Sequence, residues 1–319
     1  MIDPVRPISI DDIEQARARV AGTVLRTPLV KLDLGRDRPD IRLKLENLQP
    51  TNAYKIRGAS NAVAHLSDAE RARGVWTISA GNAGQGVAYA ARKFGIPCSV
   101  VAIETAPQTK LDRMRALGAT IVPISYDDAW KAAETHAFEG LDGTFVHPFD
   151  NHDFIAGHAT MGLEILEDLP GVKTVIAAIG GGGLITGVGS AIKAKQPDVT
   201  VIGAEPETAA PYALSLQEGG PRKFPDWQAS FVDGAGGKSV TERMWQRMRP
   251  VTDGTITVTL DQTREAMRLI AEKSRTIAEG AGALSLAAAL TGQAGEGPIV
   301  CIVSGGNIDL KAFAELVAA

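Results

Sequence analysis

The side chain with the clearest capacity for covalent chemistry is Lys55, which lies in the segment QPTNAYKIRG at residues 49–58. The segment opens with a turn-forming Pro-Thr-Asn run, so the lysine falls where a helix would begin. A primary amine held in a pocket can add to an aldehyde or remove a proton, whereas most lysines are solvated surface charges. The segment alone leaves both interpretations open.

A run of four glycines follows an apolar segment in AAIGGGGLITG. Without Cβ atoms, several backbone N–H groups can converge on one small anion, and a helix beginning near Leu184 would add its positive end. The alternative is a flexible tight turn. The spacing differs from the dinucleotide pattern, although Glu205 at the end of the next strand keeps a nicotinamide cofactor open. We interpret the loop as a phosphate site formed by Gly180, Gly181, Gly182, Gly183 and Leu184.

Two further turns follow strand-like segments and carry neutral polar side chains. In TISAGNAGQG, the turn at Ser79 and Asn82 offers N–H groups for a carboxylate, and the Asn82 amide could contact a ring oxygen. Helix capping by Asn82 explains this pattern equally well. In VCIVSGGNIDL, the Ser304 hydroxyl could face a heterocyclic nitrogen, with a plain strand-end turn as the simpler interpretation.

The four features together match the needs of pyridoxal 5'-phosphate more closely than any one of them does alone. That cofactor requires an amine for its aldehyde, a cradle for its phosphate, and partners for its ring oxygen and ring nitrogen. The sequence therefore predicts pyridoxal phosphate as the cofactor.

The elements that must position these residues alternate between strand and helix from residue 74 onward. Strands are predicted at VWTIS, CSVVAI, TIVPIS, GTFVHPF, KTVIAAIG, VTVIGAEP and PIVCIVSGG, with helices between them. Residues 261–292 are predicted as one helical run, and residues 205–255 are too irregular to assign. The alternation predicts an α/β fold with parallel sheets covered on both faces, in which ligands bind at the carboxyl ends of strands.

Composition and charge argue against several kinds of partner. The 319 residues are 45% hydrophobic and 22% charged, with a net charge of −4 and no block of like charge, so neither nucleic acid nor a membrane is expected. The most apolar run contains the four glycines, which argues against a membrane helix. Cys98 and Cys301 lie in apolar runs and are expected to be reduced core thiols. With no signal peptide recognised, a cytoplasmic location is expected.

Several motifs resemble those of the serine/threonine dehydratases of pyridoxal-phosphate fold type II, a group that also contains serine racemase. The similarity covers nearly the whole chain. It is carried by RTPLV (26–30), KLENLQPTNAYKIRGA (44–59), SAGNAGQGVA (79–88), GGGGLITG (180–187), GAEPE (203–207), EGAGALSLAA (279–288) and SGGNID (304–309).

The resemblance implies two doubly wound parallel-sheet domains with the cofactor between them. Residues 1–72 and 150–319 would form the large domain and residues 73–149 the small one. The family's assemblies imply a homodimer or homotetramer.

The resemblance also implies a role for each candidate residue. Lys55 would form the Schiff base with the cofactor and act as catalytic residue, Asn82 would contact the ring oxygen, and Ser304 would face the pyridine nitrogen. The phosphate would be held by Gly180, Gly181, Gly182, Gly183 and Leu184, and the substrate carboxylate by Ser79, Ala80, Gly81 and Ala83.

This chain also departs from the family at positions that bear on activity. Ala80 stands where serine racemase has its acid/base serine, so racemisation is not expected. The racemase-type metal site uses a Glu and, six residues on, an Asp, which correspond here to Glu205 and Pro211. Only Glu205 and the carbonyl of Ala209 are then left as cation ligands.

The implied activity is the conversion of a β-hydroxy-α-amino acid of the threonine or serine type to a 2-oxo acid and ammonia by α,β-elimination. Ala83 and Gly84 replace a bulkier residue and are expected to leave room for a larger β-substituent, such as the aryl group of phenylserine; neutral drift is the alternative. The rival functions are a β-replacement synthase of the same fold and a non-enzymatic α/β ligand-binding protein.

For two more residues near the motifs, the sequence leaves more than one interpretation. His158 stands where the family usually has Gln, and it either lines the pocket or lies on a helix face. Glu279 precedes GAGA and is a cation ligand, a hydrogen-bond acceptor or a plain helix-end carboxylate.

Overall fold

The computed structural model describes residues 4–35, 39–106 and 108–318, and its strands form two β-sheets. The larger sheet has the order β1-β2-β10-β7-β8-β9 and the smaller one β5-β4-β3-β6. The strands are β1 Leu29–Leu32, β2 Ile41–Leu45, β3 Val75–Ile78, β4 Cys98–Ile103, β5 Thr120–Ile124, β6 Thr144–Phe145, β7 Thr174–Ala178, β8 Thr200–Pro206, β9 Gly254–Val258 and β10 Ile299–Val303.

Helices cover both sheets. They are α1 Ile10–Val20, α2 Lys55–Ala64, α3 Asp68–Arg73, α4 Asn82–Phe94, α5 Gln108–Ala116, α6 Tyr126–Thr135, α7 His152–Asp168, α8 Gly183–Lys195, α9 Pro211–Glu218, α10 Glu242–Met248, α11 Leu260–Ser274, α12 Gly280–Leu290 and α13 Leu310–Ala318. In the part of the chain that the structure describes, no helix has both the length and the apolar character needed to cross a bilayer.

The larger sheet is parallel except at one edge, where β1 pairs with β2 in the antiparallel sense. Strand β10 lies between β2 and β7 and every one of its residues is buried. Its alternate residues contribute to different cores: Cys301 packs with α11 and α12, while Val300 packs with α7 and α8. A continuous apolar run rich in β-branched residues, such as IVCIV, is typical of a strand buried on both faces.

The smaller sheet is parallel throughout. Its faces also carry separate cores, one centred on Val100 and packed on α2 and α4, the other centred on Trp76 and packed on α6. The α/β fold with parallel sheets covered on both faces is therefore confirmed. Cys98 and Cys301 are free and buried on β4 and β10, as predicted.

Two sequence predictions about elements are wrong. Residues 261–292 form two helices, because Arg275 takes a left-handed backbone conformation (φ 58°) at the end of α11 and α12 begins only at Gly280. The segment GTFVHPF keeps strand geometry only at Thr144–Phe145. Strands β1, β2 and β9 carried no recognised signal.

The predicted domain boundaries remain a prediction. All four strands of the smaller sheet lie between residues 75 and 145, and those of the larger sheet lie on either side. This arrangement supports dividing the chain into residues 73–149 and the remainder.

Candidate active site

Lys55 is the first residue of α2, and its side chain reaches across to the chain segment that follows the smaller sheet. Its Nζ donates a hydrogen bond to the carbonyl oxygen of Pro148 at 2.6 Å. The rings of Tyr54 and Phe154 lie 5.2 and 5.3 Å from Nζ. Burial lowers the pKa of the Lys55 amine to about 7, because a low-dielectric environment disfavours the charged form. A substantial share of the amine is thus neutral near pH 7.

Helix α2 is held in place by buried ion pairs two residues beyond the lysine. Arg57 is fully buried and pairs with Glu46 and with Glu164, each at 2.8 Å. Lys44 of β2 donates to the same Glu164 at 2.6 Å. These contacts fix the start of α2 against the end of β2 and against α7, so the position of Lys55 is set by several elements.

The side chain of Lys55 lines a cavity of about 410 Å³ that lies between the two sheets. The cavity brings together most of the site residues expected from the sequence. Those that line it are Lys55, Ser79, Ala80, Gly81, Asn82, Ala83, Gly181 and Ser304. The remaining members of the predicted phosphate loop, Gly180, Gly182, Gly183 and Leu184, adjoin Gly181 along the chain.

The four-glycine loop connects β7 to α8 and packs too closely for side chains. A Cβ atom at Gly181 would lie 2.3 Å from the ring of Phe149, and one at Gly180 would lie 2.8 Å from the carbonyl oxygen of Gly234. Gly182 has φ 85°, and α8 begins at Gly183. Glycine therefore allows the chain to place a helix N-terminus directly behind Gly181 at the cavity wall.

The Ser79–Asn82 turn joins β3 to α4 and lines the cavity. The Ser79 hydroxyl accepts a hydrogen bond from the N–H of Gly81 at 3.1 Å. Asn82 is the first residue of α4 and Gly81 is its N-cap, so Asn82 does not cap the helix. Its Nδ2 donates to Glu279 at 2.6 Å and its Oδ1 accepts from Asn307 at 2.8 Å.

Ser304 follows β10 directly and is buried at the cavity. Its hydroxyl donates to the carbonyl oxygen of Ala281 at 3.3 Å, and its own carbonyl oxygen accepts from the N–H of Tyr54 at 3.0 Å. The second contact ties the strand end to the residue before Lys55. Because a serine hydroxyl carries no charge, Ser304 presents a neutral polar group at the cavity.

Glu279 is the N-cap residue of α12 and lines the cavity. Its carboxylate accepts a hydrogen bond from Asn82, which favours the hydrogen-bond acceptor among the three interpretations of this residue. Burial and then the nearby charge of Asp233 raise the pKa of its carboxyl to about 7. Glu279 and Lys55 thus both titrate near neutrality in one cavity, an arrangement common in active sites.

Two contacts at or beside the cavity were not indicated by the sequence, and Lys110, Asp233 and Asn307 among their partners line it. Lys110 pairs with Asp233 at 2.6 Å, and Arg113 donates to Asn307 at 2.9 Å. Both cationic residues lie on α5, while both partners lie beside the larger sheet. Asn307 stands in the SGGNID motif, which could have suggested it, whereas the Pro148 carbonyl has no side-chain signature.

Glu205 and Ala209, the expected cation ligands, do not line the cavity. Both carboxylate oxygens of Glu205 accept backbone N–H groups of α9, from Tyr212 and Ala213, at 2.8 Å. Burial raises the pKa of the Glu205 carboxyl to about 7. Among the described residues no cluster of three or more His, Cys, Asp or Glu is placed to hold a metal. Glu205 caps a helix, and the cation site stays a prediction.

His158 lies on α7, fully buried, and it is absent from the cavity wall. Its ring packs edge-on against Tyr54 and Phe154. Burial, then the charges of Lys55 and Arg57, lower the pKa of this histidine well below its usual value. His158 is therefore a neutral packing residue behind the site.

The expected role of Gly84 in widening the pocket is corrected by its surroundings. A Cβ atom there would lie 2.4 Å from the Ser79 carbonyl oxygen and 2.6 Å from the Met114 sulfur, inside the core of the smaller sheet. A larger residue at 84 would push into that core. Ala83 does line the cavity, so it alone carries the argument for extra room.

The cavity fits the cofactor predicted from the sequence. It offers an amine at Lys55 whose pKa is lowered to about 7, a close-packed glycine loop at a helix N-terminus, and a neutral hydroxyl at Ser304. These are the groups that an aldehyde, a phosphate and a pyridine nitrogen require.

Comparison with known proteins gives concordant results. A family profile described as "Pyridoxal-phosphate dependent enzyme" matches residues 20–305. An L-threonine ammonia-lyase of Thermotoga maritima is 39% identical over 97% of this chain and 78% of its own length. The catabolic L-threonine dehydratase TdcB of Staphylococcus aureus is 36% identical over 97% of this chain and 92% of its own.

Solved structures are similar over the same extent. Maize serine racemase superposes with a TM-score of 0.89 at 32% identity, covering 97% of both chains. The processed form of threonine deaminase isoform 2 from Solanum lycopersicum gives a TM-score of 0.86 at 30% identity, covering 100% of this chain and 96% of the other.

Proposed function

The chain belongs to the family of pyridoxal-phosphate-dependent enzymes, and from this premise we propose that Lys55 is the amine that binds the cofactor and the base of the reaction. The chain is a pyridoxal-phosphate-dependent lyase of the dehydratase type, in accord with its named relatives. The observation that carries the role of Lys55 is its buried amine, with a pKa lowered to about 7, at the wall of the cavity.

When bound, pyridoxal phosphate supplies an electron sink for the electron pair left at Cα of an amino acid. The residues of this chain do the rest. The neutral Lys55 amine accepts the α-proton, and the Pro148 carbonyl oxygen, 2.6 Å from Nζ, orients it. Ser79, Ala80, Gly81 and Ala83 are proposed to bind the substrate carboxylate through the turn before α4.

The proposed cofactor contacts follow the cavity geometry. Asn82 would donate to the ring oxygen, and Ser304 would face the ring nitrogen. The phosphate would bind the loop Gly180, Gly181, Gly182, Gly183 and Leu184, where the N-terminus of α8 provides N–H groups and the positive end of the helix dipole.

The substrate proposed is a β-hydroxy-α-amino acid, which loses its hydroxyl and then ammonia to give a 2-oxo acid. The relatives named for threonine support elimination over β-replacement, and family membership sets aside a non-enzymatic ligand-binding protein. Threonine and serine are the first substrates to test.

A second cavity favours substrates larger than threonine. It measures about 500 Å³ and shares Ile78, Ile103, Pro148 and Phe149 with the catalytic cavity. Trp130 and His147 add aromatic walls, and burial lowers the pKa of His147 to about 3, so its ring is neutral. Because Pro148 also contacts Lys55, this apolar space adjoins the reaction centre. An aryl β-substituent, as in phenylserine, is the finer proposal.

The role of Lys55 is tested by substitution and trapping. Borohydride reduction of the cofactor-loaded protein followed by mass spectrometry should place the cofactor on the peptide containing Lys55. We expect Lys55→Ala to abolish the imine absorbance band and to lower turnover by at least about 10²–10⁴-fold. Lys195→Ala, at an exposed helix end, should change neither. Retained turnover in Lys55→Ala would contradict the proposal.

The substrate is tested by comparing kcat/KM for threonine, serine, phenylserine and 3-hydroxyaspartate, with release of the 2-oxo acid as the readout. We expect phenylserine to react within about tenfold of threonine, since apolar contacts in the second cavity offset its greater size. A phenylserine rate lower by more than about 10³-fold would restrict the proposal to the small substrates. A product that requires sulfide would revive β-replacement.

A further inference from the structure

The side-chain amide of Asn82 is held at both of its ends. Its Nδ2 donates to Oε1 of Glu279 at 2.6 Å, and its Oδ1 accepts from Nδ2 of Asn307 at 2.8 Å. Asn307 is itself fixed, because its Nδ2 also donates to the Thr51 carbonyl oxygen at 2.8 Å and its Oδ1 accepts from Arg113 at 2.9 Å. A chain of hydrogen bonds thus runs from Arg113 through Asn307 and Asn82 to Glu279.

Glu279 has little freedom to leave this chain. It is 6% exposed, and its own N–H donates to the Gly305 carbonyl oxygen at 3.0 Å. A Cβ atom at Gly305 would lie 2.3 Å from Oε1 of Glu279, so the carboxylate packs directly on the turn after β10. The charged groups that face it are Asp233, Lys110 and Arg113.

The orientation of an amide depends on its neighbours, because its oxygen and nitrogen ends have nearly the same shape. Above its pKa of about 7 the Glu279 carboxyl is ionised and can only accept hydrogen bonds, so it then selects the nitrogen end of Asn82. Among the described residues Glu279 is the acceptor found for Nδ2, which leaves the second N–H of that nitrogen available at the cavity.

We propose that Glu279 is a positioning residue that sets the amide of Asn82, so that Nδ2 and not Oδ1 is presented to the ring oxygen of the cofactor. The inference rests on the role proposed for Asn82. It assigns to Glu279 no contact with substrate and no proton transfer.

A double-mutant cycle on the dissociation constant of pyridoxal phosphate for the apoprotein tests this, with the imine absorbance as a binding readout. We expect Asn82→Ala and Glu279→Ala each to raise the constant about tenfold, the loss of roughly one hydrogen bond. The double variant should match Asn82→Ala alone, because Glu279 would act only through that amide. Effects that multiply to about a hundredfold would overturn the inference, as would an unchanged constant in Asn82→Ala.

Circular dichroism checks that each variant is folded. The matched control is Glu272→Ala, which changes an exposed glutamate on α11 and should leave the dissociation constant unchanged. If Glu279→Ala does not fold, Glu279→Leu replaces it in the cycle, since leucine fills the space without an acceptor. Glu279→Gln keeps an acceptor oxygen for Nδ2 while Asn307 still donates to Oδ1, so the dissociation constant should stay within about threefold of that of the parent protein. A loss in Glu279→Gln as large as in Glu279→Ala would overturn the inference.

Discussion

The nitrogen of Lys55 donates to a peptide carbonyl, and its nearest rings are those of Tyr54 and Phe154. A carboxylate partner would have favoured the charged amine, whereas burial beside neutral groups disfavours it. The result is a pKa for Lys55 lowered to about 7, against an ordinary lysine value of about 10.4.

The pH dependence of the reaction follows from that pKa. With Lys55 as the proposed base, only its neutral amine can accept the α-proton, so the rate should rise as pH increases through about 7, the pKa of the free Lys55 amine, and level off above it. Initial rates of 2-oxo acid release on both sides of pH 7 provide the measurement. A rate that keeps climbing towards pH 10 without levelling off would show that Lys55 keeps an ordinary pKa. A rate that is flat across this range would contradict a base that titrates near 7.

At the residue scale, the sequence predicted the side chains that carry distinctive types. Lys55, Asn82 and Ser304 meet in one cavity, although only Asn82 and Ser304 were expected there from their places after strands. The Pro148 carbonyl could not be predicted, because every residue has a carbonyl and only the tertiary fold selects one. The orientation of Gly84 into the core was likewise invisible, since the direction of a Cβ vector requires the backbone.

Among the elements, the first turn of α2 sets the position of Lys55, the first residue of that helix. Arg57 joins it to Glu46 after β2 and to Glu164 on α7 through contacts of 2.8 Å, with the guanidinium fully buried. The charge of Arg57 outweighs the cost of burial at Glu46 and holds the pKa of that carboxyl below its usual value.

Replacement of Arg57 should therefore be costly. Arg57→Met would leave the buried carboxylate of Glu46 without its paired cation and Glu164 with Lys44 alone, and we expect the free energy of unfolding to fall by about 3–5 kcal/mol. Arg17→Met, at a half-exposed pair with Glu167, should cost about 1 kcal/mol or less. Denaturant unfolding of the two variants makes the comparison, and equal losses would contradict the argument.

Elements with strong local signals were predicted well from the sequence. The apolar runs KTVIAAIG and PIVCIVSGG form β7 and β10, the strands expected there. The division between α11 and α12 was missed, because Arg275 takes a left-handed conformation that its residue type does not favour. Strand β9 lay in the stretch rich in glycine and proline.

On the scale of the whole molecule, α5 links the two halves across the cavity. Lys110 pairs with Asp233 and Arg113 donates to Asn307, so two contacts from one helix reach the side of the larger sheet. Since α5 lies within residues 73–149, these contacts would join the two proposed domains. The homodimer or homotetramer expected from the family remains a prediction.

The ion pair between Lys110 and Asp233 lines the cavity and should influence the preference between charged and uncharged substrates. Asp233→Asn would leave the positive charge of Lys110 uncompensated beside the cavity. We expect kcat/KM for 3-hydroxyaspartate, relative to threonine, to rise about three- to tenfold.

Asp198→Asn makes the same change of charge at an exposed position before β8 and serves as the control. A ratio that moves equally in both variants would indicate a general effect of net charge and would count against a local role for Lys110.

The central place of β10 has a consequence for how the chain is made. Its neighbours β2 and β7 are synthesised long before it, and about 250 residues separate β2 from β10. At roughly 5–20 residues per second, the ribosome leaves that gap open for about 10–50 s. Until then both neighbours expose unpaired edges, which invite aggregation. The strand that fills the gap also positions Ser304, so the cofactor site proposed here is complete only after β10 has been made.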